Sequence, residues 1–176
     1  MGTVQNETVR EYLADSEMVL IGLGEEFRSD GTSQTDDHII HALNQLTPLL
    51  KGKTYFIISQ NRDDLPFRTS LLSFFISAPL SAGDSNENTE KQWDTYLRWV
   101  AGTLGHRLLI MELGVGFDRP DLIRWPFEKM AQMNLKSTFL RINDRFPQLP
   151  KELAATRRAF SVKENAVDWI ENLCKT

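Results

Sequence analysis

Three polar side chains that could bind a ligand follow an apolar run in the first half of the chain. The apolar residues 55–58 lead through Ser59 into Gln60, Asn61 and Asp63. A short apolar run between turn signals is typical of a strand buried on both faces. Polar groups at the carboxyl end of such a strand lie where open α/β sheets bind ligands. This pattern predicts a nucleotide site on a parallel sheet.

Three further apolar runs also end in glycine or in a polar residue. The residues at their ends are Gly22 and Gly24 for the run 18–23, Gly114 and Gly116 for the run 108–113, and Asn143 for the run 138–142. Glycine lets a phosphate approach the backbone, and the N-terminus of a following helix offers free N–H groups. The first turn alone is weak support for dinucleotide binding, because Phe27 stands where the usual fingerprint has its third glycine. Ordinary tight turns are the alternative explanation for the second pair of glycines.

The elements that would position these residues alternate between strand and helix patterns. Strands are predicted at 18–23, 55–59, 108–113, 138–142 and 159–162, and helices at 3–14, 39–50, 93–104, 120–133 and 166–173. Asp36 or Asp37 could cap the second helix. Alternation of this kind implies right-handed βαβ crossovers. We therefore predict an α/β, Rossmann-like fold with a mostly parallel sheet of about five to six strands and helices on both faces.

Three places in this pattern carry weaker or conflicting signals. The segment 66–76 could begin as a helix with Pro66 in its first turn, but 74–76 could instead be a short strand. The segment 77–92 has the composition of an exposed loop. Pro126 lies inside the fourth predicted helix and should kink or shorten it.

Length and charge limit the domain count and the partners. The chain has 176 residues, of which 41% are hydrophobic and 25% charged. This length can bury one sizeable core and is too short for two ordinary domains, so we expect 1–176 to form a single domain. The formal net charge of −4 and the lack of a basic stripe argue against a nucleic-acid partner.

Membrane and metal sites are not predicted either. No segment has the roughly 18 apolar residues that a membrane span needs, and the polar first residues are unlike a secretory signal, so a cytoplasmic protein is expected. Cys174 is the only cysteine, which excludes an internal disulfide and a zinc site of four cysteines. His38 and His41 have a spacing that a metal could use, but a solvated helix start explains them better.

In order and placement, the strand ends resemble those of the sirtuins, NAD-dependent protein deacylases and ADP-ribosyltransferases. The residues 60–63 match the sirtuin pattern Gln-Asn-x-Asp, and 22–24 resemble the Gly-Ala-Gly turn that holds the pyrophosphate. The resemblance implies that Asn61 and Asp63 are catalytic residues that hold the nicotinamide half of NAD. It also implies a set of residues around the rest of the cofactor, namely Gly22, Gly24, Gln60, Gly114, Gly116, Asn143 and Ser161.

Two segments in the second half resemble one branch of the family. The residues 112–120 and 123–128 are similar to those of microbial sirtuins linked to macrodomains, which are similar to ADP-ribosyltransferases rather than deacylases. The family also has features that are missing here. The run 73–79 ends without the catalytic histidine, and a single cysteine cannot form the zinc module of the small domain. The resemblance therefore implies a sirtuin-like domain without the zinc-binding small domain and without the deacylase base.

Two carboxylates directly after the first glycine turn weaken the case for a pyrophosphate. Glu25 and Glu26 would stand near about two negative phosphate charges, and even at an effective dielectric constant near 20 one close carboxylate costs several kcal/mol. The cost disappears if both side chains point to solvent, if Arg28 or Arg119 neutralises them, or if a cation bridges them. Asn61 and Asp63 have an alternative role of their own, since either could cap the next helix.

Three functional classes follow from these residues. The first is a domain that binds NAD or ADP-ribose without turnover, as a sensor or as a subunit beside a protein partner. The second is an enzyme that cleaves the nicotinamide bond and transfers ADP-ribose to a protein or to water. The third is a structural or partner-binding protein that has lost the nucleotide. Oligomeric state and substrate are left open by the sequence.

Overall fold

The computed structural model describes residues 5–81 and 86–175. Its strands are β1 (Met18–Leu23), β2 (Thr54–Ser59), β3 (Ile76–Ser77), β4 (Leu108–Leu113), β5 (Thr138–Ile142) and β6 (Ala159–Val162). Its helices are α1 (Asn6–Asp15), α2 (Ser33–Leu49), α3 (Asn86–Ala101), α4 (Arg124–Met133), α5 (Lys151–Ala154) and α6 (Ala166–Cys174). Short 3-10 turns cover Glu25–Phe27, Leu65–Arg68 and Ser73–Phe75. Within the described residues, no helix is both long enough and apolar enough to cross a membrane.

The six strands form one sheet in the order β3-β2-β1-β4-β5-β6, and every pair of neighbours is parallel. The chain builds outward from β1 through β2 to β3, and then returns to the other side of β1 to build β4, β5 and β6. This reversal creates a topological switch point between β1 and β4, where doubly wound sheets bind their ligands. The predicted Rossmann-like α/β class is confirmed.

Helices cover both faces of the sheet, because the central strands are apolar on both sides. Ile21 packs in one core with residues of α1, α2 and α6, whereas Leu20, the next residue along β1, packs in a second core with residues of α3 and α4. Both side chains are fully buried. Continuous apolar strands of this type are expected where a parallel sheet is covered on both faces.

The starts of α2 and α4 differ from the sequence prediction. The second helix begins at Ser33 rather than at 39, because the side chain of Thr32 caps it by accepting the N–H of Thr35. The prediction that Asp36 or Asp37 caps this helix is therefore wrong. The predicted helix 120–133 begins only at Arg124. Pro126 consequently lies in its first turn, where a backbone N–H has no partner within the helix, so no interior hydrogen bond is lost there.

The segment between β2 and β4 was the least well predicted. The ambiguous residues 66–76 form two 3-10 turns and lead into the short strand Ile76–Ser77. The exposed-loop prediction for 77–92 is wrong at both ends, because Ser77 is buried in β3 and α3 begins at Asn86. Residues 82–85 of that segment lie outside the described residues. Outside this segment, the four-residue helix α5 between β5 and β6 was not predicted either.

Candidate functional site

The strand ends singled out in the sequence meet at one edge of the sheet. Each continues the ladder by one residue, because its backbone N–H donates to the last carbonyl of the neighbouring strand. The four bonds are Gln60 to Leu23 (3.1 Å), Gly24 to Leu113 (3.0 Å), Gly114 to Ile142 (2.8 Å) and Asn143 to Val162 (3.1 Å). The edge therefore brings together residues from the ends of β1, β2, β4 and β5. Ser161 lies inside β6 opposite Arg141 and lines neither of the two clefts at this edge.

The first cleft, of about 620 Å³, lies beside the end of β2. It is lined by the residues after β2 and by loop residues from three other places, namely Arg28, Ser29, Gln60, Asn61, Arg62, Asp63, Leu80, Asp118 and Arg119. Two of its three arginines are paired: Arg28 with Asp118 at 2.8 Å, and Arg119 with Asp121 at 2.9 Å. Arg62 is exposed and has no carboxylate within salt-bridge distance among the described residues.

Gln60 and Asn61 are buried in the wall of this cleft and carry polar atoms without partners. Gln60 is 3% exposed and Asn61 2% exposed. Among the residues that the structure describes, neither the amide nitrogen nor the amide oxygen of Gln60 has a hydrogen-bond partner, and the Oδ1 of Asn61 has none. Ser77, at the end of the adjacent β3, has an unpartnered buried hydroxyl as well. Buried polar groups are normally satisfied by protein, water or ligand, so the amide atoms of Gln60 and the Oδ1 of Asn61 are candidates for a bond to water or to a ligand.

Asn61 and Asp63 also stabilise the local backbone. The Nδ2 of Asn61 donates to the carbonyl oxygen of Gly24 at 2.8 Å, which ties the end of β2 to the first glycine turn. The carboxylate of Asp63 accepts the N–H of Leu65 at 3.2 Å and that of Ser29 at 3.0 Å. Asp63 thus stabilises the loop that leads into the 3-10 turn Leu65–Arg68 without being its N-cap residue, which is Asp64, whereas the Oδ1 of Asn61 has no partner among the described residues.

A second cleft, of about 560 Å³, lies over the switch point and the ends of β4 and β5. Arg28 and Asp118 line both clefts, and their ion pair stands between them. The other lining residues are Glu25, Glu26, Gly114, Gly116, Phe117, Asn143, Asp144, Arg145, Phe146 and Asn165. Four carboxylates and two guanidinium groups line this cleft, so its charge is unfavourable for an anion.

Glu25 turns its carboxylate into this second cleft instead of into solvent. The carboxylate accepts the backbone N–H of Gly116 at 2.5 Å and that of Asp118 at 3.1 Å. A Cβ atom on Gly116 would stand 3.1 Å from both carboxylate oxygens, so glycine permits this close approach. A side-chain anion thus occupies the backbone donors of the second glycine turn.

Glu26 occupies a second set of backbone donors. Its carboxylate accepts the N–H of Asp144 at 2.9 Å and that of Ala166, the first residue of α6, at 2.6 Å. The next two N–H groups of α6 are taken by the side chain of Asn165. Burial raises the pKa of Glu26 above its ordinary value, and the nearby Asp144 and Glu25 carboxylates add to this, against the lowering effect of the two backbone N–H bonds. Both carboxylates thus bond to backbone N–H groups, while Arg28 and Arg119 pair with Asp118 and Asp121 and do not neutralise the two glutamates.

The glycines at these turns are required by the packing of the protein itself. A Cβ on Gly24 would lie 2.3 Å from the Cα of Val115 and 2.4 Å from the carbonyl oxygen of Gly114, so the turns after β1 and β4 touch through their backbones. Gly114 has a φ of +62°, and a Cβ there would meet the Cβ of Glu26 at 2.5 Å. A Cβ on Gly22 would be 2.5 Å from Ile123. Close packing thus accounts for these glycines without any phosphate.

Asn143 is fully used within the fold. Its Nδ2 donates to the carbonyl oxygen of Val115 at 2.9 Å, and its Oδ1 accepts the N–H groups of Arg145 and Phe146 at 2.9 and 2.7 Å. The two asparagines at this edge thus make the same kind of bond to a neighbouring turn. They differ in that only Asn61 retains an unused oxygen.

A buried ion network under α4 supports this edge and was not found from the sequence. The guanidinium of Arg141 on β5 makes two bonds to the carboxylate of Glu112 on β4, at 2.8 and 2.9 Å, and one to Glu128 at 2.6 Å. Glu112 and Arg141 are each 0% exposed. Burial lowers the pKa of Arg141, but the two carboxylates raise it above its ordinary value overall. The sequence contained one signal for this network, because Glu112 and Arg141 are charged residues inside the apolar runs 108–113 and 138–142.

Arg124 connects this network to the loops that line the second cleft. Its guanidinium donates to the carbonyl oxygens of Val115 at 2.9 Å and Phe146 at 3.2 Å, and approaches Glu112 at 3.4 Å. It also stands 4.2 Å from the ring centroid of Phe117. The loops after β4 and β5 are thereby held to the first residue of α4.

The described residues contain no group of three or more potential ligands that could hold a metal ion. His38 lies 3.4 Å from Glu171 and 3.7 Å from Asp168 of α6, and His41 bonds to Gln45. These contacts place both histidines on the outer surface of α2, away from the two clefts.

The fold and this edge define a class: a Rossmann-like α/β domain with a polar crevice at its topological switch point. Comparisons with protein-family models and with curated proteins find no match to this chain.

Proposed function

We propose that this chain is a sirtuin-like domain that binds NAD or ADP-ribose at the carboxyl edge of its sheet, without deacylase activity, as a nucleotide sensor or as a subunit. The observation that carries the proposal is the unpartnered amide group of Gln60 beside the unpartnered Oδ1 of Asn61. A buried polar group without a partner costs about 1–3 kcal/mol, and a ligand that bonds to it recovers that cost on binding. Carboxamide and ribose hydroxyl groups are suitable partners because they both donate and accept hydrogen bonds.

The charge of the first cleft is compatible with a nucleotide. Arg62 lies on its rim without a carboxylate partner among the described residues, so it is available to an anionic group. None of the three histidines of the chain is among the described residues that line the two clefts.

Calorimetric titration with NAD and with ADP-ribose tests the proposal, at protein concentrations that detect a sub-millimolar Kd. Wild type should bind at least one of the two, and Arg62→Ala should bind that ligand more weakly. Arg157→Ala is the matched control, because Arg157 is also exposed but lies before β6, away from both clefts. If wild type binds neither ligand, the proposal is wrong, and the remaining functional class is the structural or partner-binding protein.

A second candidate function is cleavage of the nicotinamide bond of NAD. It is favoured by the presence of Asn61 and Asp63 in the same cleft. In this reaction the glycosidic C–N bond breaks, nicotinamide leaves, and the oxygen of water, or a nucleophile of an acceptor protein, bonds to the ribose carbon. Nicotinamide release from NAD measures the activity, and Asn61→Ala should abolish it. Because Asn61 also bonds to Gly24, the unfolding free energy of the variant has to be measured in parallel.

A further inference from the structure

The backbone donors at the switch point have two side-chain anions as their present partners. Glu25 accepts the N–H groups of Gly116 and Asp118, and Glu26 accepts those of Asp144 and Ala166. Backbone N–H groups at glycine turns and at helix N-termini are also the groups that bind phosphates in α/β folds. Any phosphate in the second cleft would compete with these carboxylates for the same donors.

Charge adds to this competition. Glu25 and Glu26 line the second cleft together with Asp118 and Asp144. Asp118 is neutralised by its ion pair with Arg28, whereas neither glutamate forms an ion pair among the described residues. A phosphate that entered without displacing the glutamates would therefore meet two uncompensated negative charges.

We propose that Glu25 and Glu26 are specificity-determining residues that discriminate against phosphate groups in the second cleft. The inference rests on the proposed function, because it concerns how the same edge selects among nucleotides. A ligand whose phosphates use the second cleft must first displace the carboxylates from their N–H donors. A ligand that fits in the first cleft alone does not contact them. The chain therefore favours the nicotinamide–ribose part of NAD over the pyrophosphate.

The geometry of the turn makes the displacement possible. The glutamates lie in the 3-10 turn Glu25–Phe27, and only Phe27 of that turn is fully buried. The N–H of Asp118 is exposed, so water can hydrate it once Glu25 has left. The packing that holds the turn is supplied by Gly24 and Phe27 rather than by the glutamate side chains. Substitution of either glutamate removes two hydrogen bonds and should lower the stability, but it leaves this packing in place, so the fold should be retained.

The test compares wild type with the double variant Glu25→Ala/Glu26→Ala against three probes by calorimetry. Loss of each carboxylate should increase the affinity for ADP-ribose about tenfold, which corresponds to about 1.4 kcal/mol of binding free energy for each carboxylate. Inorganic pyrophosphate should bind the double variant and not wild type. Nicotinamide riboside, which has no phosphate, should bind both proteins equally. Glu152→Ala is the control for the lost charge, because Glu152 is exposed on α5 and lines neither cleft.

The outcomes separate this inference from the proposed function. Equal ADP-ribose affinity in wild type and double variant would overturn the inference and leave nucleotide binding in place. Tighter binding of nicotinamide riboside by the double variant would overturn it too, because the effect would then not be specific for phosphate. Failure of both proteins to bind any nucleotide, with pyrophosphate bound by the double variant alone, would overturn the proposed function and support the inference. Glu25→Gln removes the charge but keeps an acceptor, so its affinity for ADP-ribose should lie between that of wild type and that of the double variant.

Discussion

The carboxylate of Glu25 accepts the backbone N–H of Gly116 at 2.5 Å, across the switch point between β1 and β4. The two residues belong to the glycine turns after β1 and β4, and the sequence predicts that both turns contact one nucleotide. In the structure the first turn supplies an anion and the second supplies its donor, so the turns satisfy each other. One strand away, at the end of β2, the buried amide atoms of Gln60 and the Oδ1 of Asn61 have no hydrogen-bond partner among the described residues. The backbone donors of the second cleft are thus satisfied by glutamate side chains, whereas the first cleft has the buried polar atoms that a ligand could satisfy.

Replacement of Gln60 by methionine should stabilise the fold and remove ligand binding. The amide of Gln60 has no partner among the described residues, so an apolar side chain of similar shape removes a desolvation cost of about 1–2 kcal/mol. Urea denaturation gives the stability, and titration with NAD or ADP-ribose gives the binding. Asn143→Leu is the matched control, since all the polar atoms of Asn143 are bonded, and it should cost about 2–4 kcal/mol. A loss of stability in Gln60→Met would mean that the amide is satisfied in solution.

Much of the fold could be predicted from the sequence, because a parallel sheet covered on both faces leaves a strong local pattern. The five longer strands are mostly apolar runs followed by glycine or polar residues, and their order along the chain implied the crossovers. The sequence pattern failed where tertiary contacts decide. The two-residue β3 is too short to have a period, and α2 begins at Ser33 because the side chain of Thr32 caps it, not because of an apolar repeat.

The candidate site could be predicted in its position but not in its chemistry. That polar residues after β2 and glycines after β1 and β4 would meet followed from parallel topology alone. The sequence does not indicate which of these polar groups form hydrogen bonds within the protein and which are left for a ligand. Asn61 and Asn143 look alike in the sequence, and only the contacts show that one retains an unused oxygen. The pairing of Glu25 with Gly116 depends on a contact between residues 91 positions apart.

Alanine at Gly24 should destabilise the protein by about 3 kcal/mol or more. The added Cβ would lie 2.3 Å from the Cα of Val115, which is backbone and cannot move aside without disturbing the switch point. Thermal unfolding of the variant measures the loss. Gly102→Ala is the control, because its nearest contact is an ordinary 3.4 Å and its change should be within about 1 kcal/mol. Equal effects at both positions would show that the turns after β1 and β4 are not in contact.

Removal of one partner from the buried ion network should cost about 3–5 kcal/mol. Glu112→Leu leaves the buried guanidinium of Arg141 without its bidentate partner. The double variant Glu112→Leu/Arg141→Met removes both charges and should recover much of the loss. Urea denaturation of the two single variants and the double variant forms a double-mutant cycle. As a control, loss of the exposed pair of Glu87 and Lys91 in Glu87→Gln should change stability by less than about 0.5 kcal/mol. An additive cycle would contradict the coupling.

The contribution of Glu26 to stability should fall as the pH rises. Burial raises the pKa of Glu26, with smaller contributions from Asp144 and Glu25, and the backbone N–H bonds from Ala166 and Asp144 act in the opposite direction. The folded state therefore holds the proton more tightly than the unfolded state does. The stability that Glu26 contributes is fully present below the ordinary glutamate pKa and is lost as the pH rises through the raised value.

Comparison of wild type with Glu26→Gln measures this effect, because glutamine keeps an acceptor for the backbone N–H groups and does not ionise. The unfolding free energy of wild type relative to the variant should decrease as the pH is raised from about 4 to about 8. Glu152→Gln, at an exposed position on α5, is the matched control for replacement of a glutamate by glutamine. If wild type instead gained stability over Glu26→Gln as the pH rose, the N–H groups of Ala166 and Asp144 would outweigh burial.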